Sequence, residues 1–430
     1  MSTVAPETQP AQPAPAAPAF EHAKNWKAPI ALAVFTLLGF LLLVVFGRDG
    51  VSTMRLSTSA DLIQLPEVEM PTRLTGIVVS LLLVGITVAS VWLVRSSTKV
   101  PIWLISVFSL LLLIGFLAWA AADRTIPVPG LLFGSLSLAV PLIFGALGGV
   151  ISERVGVVNI AIEGQLLAGA FTSAMVASLT GLPLLGLLAA MVAGVLVAFM
   201  LAAFSIKYFV DQVIVGVVLN VLVIGVTGFL FSELLAPNAA TLNQPPRFPR
   251  INIPLLSEIP IIGPVFFRQT LIVYIMYFAV AAVYFGIFHT KWGLRLRAVG
   301  EHPQAADTVG INVARTRFWN VSLAGAIVGL GGAYFTLGSV GAFGKEMTAG
   351  AGFIALAAVI FGRWDPIRAT LAALLFGFAS NLQNVLSIIG SPVPSEFMLM
   401  LPYLVTILAV AGFVGISRPP AASGKPYIKS

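Results

Sequence analysis

Long apolar runs separated by short polar breaks dominate the chain. They fall at about 30–47, 74–94, 101–122, 131–151, 157–180, 183–205, 213–233 and 270–289, and again near 317–339, 351–362, 367–387 and 396–416. Stretches such as Ile30 to Phe46 and Leu74 to Val94 are apolar throughout, without the alternating positions of a transmembrane barrel. A helical crossing needs about 20 residues. The tenth run, 351–362, is too short and predicts a re-entrant segment or half of a broken helix. The fold class expected is all-α: a polytopic helical membrane protein with about 10–12 transmembrane helices, one of them short or re-entrant.

Composition agrees with this pattern. Of 430 residues, 58% are hydrophobic and 10% charged, whereas soluble domains carry near 25% charged residues. The absence of cysteine excludes disulfides, thiol nucleophiles and Cys-ligated metals, and His22, His289 and His302 are too scattered to form a metal motif. No metal, cofactor or catalytic residue is expected. The net charge of +7 bears on topology rather than nucleic acid. With an internal start, the basic residues sort 16 inside to 8 outside, as the positive-inside rule favours. Both termini are thus expected in the cytoplasm.

Residues 1–28 form a Pro/Ala-rich tail, with Pro6, Pro10, Pro13, Pro15 and Pro18, expected to be disordered and cytoplasmic. Lys24 and Lys27 precede the first run as in an uncleaved anchor. Two long connections are expected outside: Gly47 to Arg73, with Asp49, Asp61, Glu67 and Glu69, and Leu234 to Arg268, whose seven prolines predict an ordered cap. Small residues four apart, Gly145 with Gly149 and Gly325 with Gly329, suit close helix packing, with a dimer seam as the alternative. A faint internal echo relates Gly164–Val195 to Gly352–Ser380, each an apolar run, a turn at Pro183 or Pro366, and an Ala/Leu-rich run.

Polar groups within the runs are the candidates for function. Ser152–Gln165 reads SERVGVVNIAIEGQ. Asn159 and Glu163, four apart, are predicted on one helical face, with Gln165 beside them. A carboxylate at that depth costs about 2.5–3.5 kcal/mol, so Glu163 either faces a cavity or gate or is a structural acid paired with a neighbouring helix. Asn220, Asn381, Gln383 and Asn384 could bond a polyhydroxylated or purine-like solute, or bridge helices. Phe343, in the Gly-rich SVGAFGKEM, could stack on a base or sugar, or sit in an interfacial belt. Lys207 and Asp211 are predicted to pair at the interface. Lys345 stands in Gly-Lys-Glu without a phosphate-loop pattern, so any ATP must be hydrolysed on another subunit.

The basic connection KWGLRLRAVGEHPQAADTVGINVARTRF runs from Lys291 to Phe318. Gln304, Ala305 and Ala306, then Gly310, suit a short helix pressed into a groove on another protein, framed by Arg295, Arg297, Arg315 and Arg317. Alternatively it is an ordinary basic cytoplasmic loop. Together with GALGGVISERVGVVNIAIEGQ (Gly145–Gln165), DQVIVGVVLN (Asp211–Asn220) and GFIALAAVIFGRWDP (Gly352–Pro366), its GLRLRAVGEHPQAADTVGIN (Gly293–Asn312) resembles permease subunits of ABC importers. The family is that of branched-chain amino acid and ribose permeases, and the similarity is to its nucleoside and simple-sugar branch. The resemblance covers about residues 130–415.

That resemblance implies a permease core at 126–416; the apolar runs predict additional N-terminal transmembrane helices at 29–125, outside that core, and the charge count predicts a cytoplasmic tail at 417–430. The resemblance also implies an inner or plasma membrane location, two cytoplasmic ATPase subunits, a second permease subunit that is a paralogue, and an external solute-binding protein. The solute would be a nucleoside or related neutral polar compound. Glu301, Gln304, Ala305, Ala306 and Gly310 match the ATPase-coupling segment. Asn159, Glu163, Gln165, Asn220, Phe343, Asn381 and Gln383 are candidates for the substrate path. An ion-gradient carrier is the alternative, with Glu163 as its one deep ionisable candidate. A membrane enzyme is disfavoured by the lack of any catalytic constellation.

Overall fold

The computed structural model describes residues 26–59, 61–391, 393, 394, 396, 397, 400 and 418–429. Most of the tail at 1–28 and of the run at 396–416 lies outside the described residues. The helices are α1 (Lys27–Val45), α2 (Thr72–Arg95), α3 (Ile102–Ala120), α4 (Val128–Arg154), α5 (Ile162–Thr180), α6 (Pro183–Lys207), α7 (Gln212–Leu235), the single turn α8 (Ala239–Leu242), α9 (Leu271–His289), α10 (Lys291–Glu301), α11 (Pro303–Thr308), α12 (Val313–Val340), α13 (Ala351–Phe361) and α14 (Pro366–Ile388). Among the described residues, ten of these are long and apolar enough to cross a bilayer, and α13 is the shorter apolar helix.

Local chemistry sets the helix ends. Asp211 caps α7, accepting from Val213 N at 2.8 Å and Ile214 N at 3.1 Å, and Asp365 caps α14 through Ile367 N and Arg368 N. The expected Lys207–Asp211 pair is therefore corrected. The helix stops at Lys207, so i,i+4 geometry is lost, and the Lys207 ammonium lies over the Tyr208 ring instead. Pro183 and Pro366 start α6 and α14, where a missing N–H costs nothing.

The chain forms two compact units, residues 1–47 with 73–116, and residues 48–72 with 117–430. In the first, Thr36 Oγ1 of α1 bonds Thr87 Oγ1 of α2 at 2.7 Å, a polar tie of the kind that holds helices in lipid. Gly39 packs against Leu83 and Leu112.

The second unit is built around α4 and α12, which are buried along most of their length. Its connection at 48–72 carries β1 (Val51–Arg55), paired antiparallel with β2 (Val68–Pro71) and parallel with β3 (Thr125–Pro127). The proline-rich segment is ordered, with β4 (Arg250–Asn252) antiparallel to β5 (Arg268–Thr270). Asp61 meets Arg268 at 3.0 Å and so ties the two connections together.

Glycine contacts reveal the direction of each helix. An added Cβ on Gly148 would meet Val328 and the Ala324 carbonyl, and one on Gly331 would meet Phe144, so α4 and α12 run antiparallel. Gly145 faces Ala355 and Gly149 faces Val359, so α13 runs parallel to α4. The series α4, connection, α5, α6 is thus mirrored by α12, connection, α13, α14, with opposite sense. This gives the faint sequence echo a structural form, an inverted pair in which Gly164 and Gly352 occupy the opening turns of α5 and α13.

Helices α6 and α12 approach backbone to backbone, where an added Cβ on Gly194 would fall 2.1 Å from the Gly325 carbonyl oxygen and one on Gly325 2.4 Å from that of Gly194. Gly145–Gly149 and Gly325–Gly329 therefore serve packing within the chain. Gly194→Ala should lower the thermal midpoint of the detergent-solubilised chain, reflecting about 1–3 kcal/mol of overpacking. Gly225→Ala, with no atom within 4 Å, should leave it unchanged.

Candidate translocation and coupling site

After α4 the chain turns back into the bundle instead of starting a new span at the membrane edge. Ile162, at the start of α5, lies against Gly145 and Gly149, five to nine residues before the end of α4, or about 8–14 Å inside it. From the other direction, α13 has 11 residues, about 16 Å of helix, and ends where Trp364 Nε1 donates to the Glu153 carboxylate at the end of α4. Its start therefore lies near half the depth of a hydrocarbon core about 30 Å thick. There the N-termini of α5 and α13 meet, so closely that an added Cβ on Gly352 would lie 2.3 Å from the Glu163 nitrogen.

Glu163 fills this junction. Its Oε1 accepts from Thr348 Oγ1 at 2.6 Å and Gly350 N at 2.9 Å, and its Oε2 accepts from Gly352 N at 2.6 Å. The side chain stands in the first turn of α5 and caps α13, so the positive ends of two helix dipoles converge on one carboxylate. Gly350, at φ +82°, turns the chain into α13 in a conformation that a side chain would strain. A cavity of about 220 Å³ borders the junction, lined by Glu163, Leu167, Ile224, Glu346, Thr348 and Phe353 among others.

Asn220, Asn159 and Gln165 stand at or beside the same break. Asn220 accepts from Gly164 N at 2.8 Å and donates to Ile160 O at 2.9 Å, bonding both sides of the α5 start. Asn159 and Gln165 are fully buried and bond each other through their amides at 3.1 and 3.4 Å. Asn159 precedes α5, so the predicted shared helical face with Glu163 is corrected; Asn159 pairs with Gln165, while Glu163 turns to Thr348, Gly350 and Gly352. Asn381 donates to Leu131 O at 2.7 Å, bridging α14 and α4. Gln383 is half-buried and Asn384 exposed on α14, apart from this cluster.

Phe343 is enclosed rather than presented to solvent, 3% exposed and packed on Phe171 and Phe231. Its backbone is clamped by Asn243, which accepts from Phe343 N at 2.7 Å and donates to Phe343 O at 2.9 Å. The connection entering α13 is thus pinned at one end by Asn243 and at the other by Glu163.

The second cluster is the basic connection, which forms α10 and α11. Glu301, Gln304, Ala305, Thr308, Val309 and Gly310 are exposed, whereas Ala306 is buried. The expectation that both alanines face outward is corrected: Ala306 anchors the turn to the bundle and Ala305 stands free. Arg317 does not frame an outer face either. It is 2% exposed, with its guanidinium bonded to backbone carbonyls. Gly300 lies directly against the Arg154 carbonyl, so α10 rests on the end of α4, just before the connection that climbs to Asn159.

Sequence reasoning missed Thr348, Gly350 and Gly352 as partners of Glu163, the Asn243 clamp, and the Glu153–Trp364 bond. The available signal was the glycine pair that opens the short tenth run.

Residues 131–410 match the family model for the permease component of branched-chain amino acid transport systems. The chain belongs to this family. It is a multi-pass membrane permease. This permease is 45% identical over 308 residues to the guanosine ABC transporter permease protein NupQ of Bacillus subtilis (strain 168), covering 69% of the chain and 95% of the relative. It is 40% identical over 306 residues to the nucleoside ABC transporter permease protein NupC of Lactococcus lactis subsp. cremoris, with coverage of 69% and 95%. A putative glucose ABC transporter permease protein of Haloferax volcanii is 34% identical over 258 residues, 59% of the chain and 77% of the relative. No solved structure matches the permease.

Glu163→Ala should leave Thr348, Gly350 N and Gly352 N without an acceptor. At about 1–3 kcal/mol per buried donor, the chain should lose thermal stability in detergent. Glu163→Gln should recover part of that loss, because one amide oxygen still accepts while the –NH2 faces a donor. Equal midpoints for wild type and Glu163→Ala would show that the carboxylate does not hold the junction.

Proposed function

We propose that the chain is the membrane-spanning subunit of an ATP-driven importer that carries a nucleoside. Cytoplasmic ATPases would supply the energy, a second permease subunit would complete the pore, and an external binding protein would deliver the solute. The observation that carries this reading is the exposed coupling surface Glu301–Gly310, seated on α4 one connection away from the break at Asn159 and Glu163. Relatives that share 40–45% identity over 69% of the chain and are named for guanosine or nucleoside transport support the solute class.

In this mechanism, closure of the ATPases pushes α10 and α11 against the end of α4. The push reaches Val155–Ala161 and shifts α5 relative to α13 at the Glu163 junction, changing which side the neighbouring cavity faces. Solute moves with no covalent chemistry. Glu163, already holding three donors, is poorly placed to bind and release a coupling ion, which favours ATP coupling over an ion-gradient carrier. Asn159, Gln165, Asn220 and Asn381 then act as struts of the path. Glu301 and the carboxy-terminal residues 418–429 touch one another and so share a side, the cytoplasmic one on this reading, in an inner or plasma membrane. The family match begins at residue 131, which supports helices at 29–125 as an addition to a core at 126–416.

Uptake of labelled guanosine into cells or proteoliposomes containing the full assembly tests the reading. Ala305→Arg or Val309→Asp should cut uptake about tenfold at unchanged chain levels, because both positions are exposed. Ala306→Arg should instead reduce the folded chain itself. Guanosine uptake that persists without ATP would overturn the importer reading.

A further inference from the structure

Residues 418–429 fold back across the coupling helices. Ala422 N donates to Gly300 O at 2.9 Å and Ala421 N to Glu301 Oε2 at 3.1 Å. Lys429 Nζ stands 3.6 Å from Asp307 Oδ1, and the Tyr427 hydroxyl bonds the same carboxylate. The segment therefore grips the end of α10 and the middle of α11. On its other side it meets the connection to the α5 break, with Gly424 against Val158 and the Ala422 carbonyl against Gly156.

Arg317 lies beneath this crossing. Its Nη1 donates to Lys425 O at 2.9 Å and its Nη2 reaches Ala422 O at 3.5 Å, while Nε has no partner. Gly156, at φ +92°, leaves room for the guanidinium, since a Cβ there would lie 2.8 Å from Nη2. A buried cation bonded to a few carbonyls is a poor device for stability alone, as an apolar side chain of similar volume is often as good. The guanidinium instead fixes where the segment crosses and, through it, how α10 and α11 sit relative to Gly156 and Val158.

We propose that residues 418–429 are a strap, and Arg317 its positioning residue, that makes the coupling helices and the α4–α5 connection move as one body. This rests on the reading of Glu301–Gly310 as the ATPase-coupling segment. Without the strap the ATPases still dock on the exposed face of α10 and α11, but their motion is absorbed locally and does not reach the Glu163 junction. Hydrolysis then continues without transport.

The test uses the complete reconstituted assembly and measures guanosine imported per ATP hydrolysed. Deletion of 418–430 and Arg317→Met should each lower that ratio about tenfold while the ATPases still co-purify, and Arg317→Lys should restore much of it. An unchanged ratio in the deletion would overturn the proposal, as would a parallel fall of import and hydrolysis with loss of folded chain. Because the chain has no cysteine, Asp307→Cys combined with Tyr427→Cys gives a second readout. Because these two side chains meet through their tips, a short bis-maleimide rather than a direct disulfide should link the two cysteines in membranes and leave the ratio intact, and failure to crosslink would overturn the strap. If the unaltered chain recruits no ATPase, the coupling reading falls and the proposal with it. A crosslink formed in that case separates this failure from a misplaced strap.

Discussion

One carboxylate between two helix starts organises the centre of this protein. In hydrocarbon, the free N–H groups of a helix beginning at mid-depth have no water to bond, so neither α5 nor α13 could start there alone. Glu163 resolves the problem for α13. It belongs to the first turn of α5 and supplies the acceptors that the opening of α13 lacks, while both helix dipoles favour its charge. Asn220 completes the arrangement by bonding the chain on either side of the α5 start.

The remaining architecture keeps these two starts facing each other. The buried pair α4 and α12 run antiparallel, and each is followed by a connection that returns into the bundle, so the two halves approach the junction from opposite sides. Close glycine contacts between α6 and α12 and between α4 and α13 leave little freedom for sliding. Asn243 and Glu163 pin both ends of the connection entering α13. A closely packed frame thus surrounds a short polar seam.

Outside the seam, the handle and its support are separate in sequence and adjacent in space. The exposed residues of α10 and α11 are available to a partner, while Ala306, Gly300 and Arg317 face the chain itself. This division explains why neighbouring alanines have unlike roles, and why a basic residue expected on an outer face is instead spent on backbone carbonyls more than a hundred residues away.

The sequence by itself determined the membrane class, the spans among the described residues, the shortness of α13 and the basic connection at 291–318, because these depend on apolar length and local charge. It also singled out Asn159, Glu163, Gln165, Asn220 and Asn381, since a polar side chain in an apolar run is conspicuous wherever it points. It left open what each bonds. That Glu163 caps a helix starting at residue 351, that Asn243 holds Phe343, and that Arg317 faces inward were decided only by tertiary structure. Hydrogen bonds across 100 to 190 positions depend on how inverted halves stack, and local patterns carry no record of that stacking.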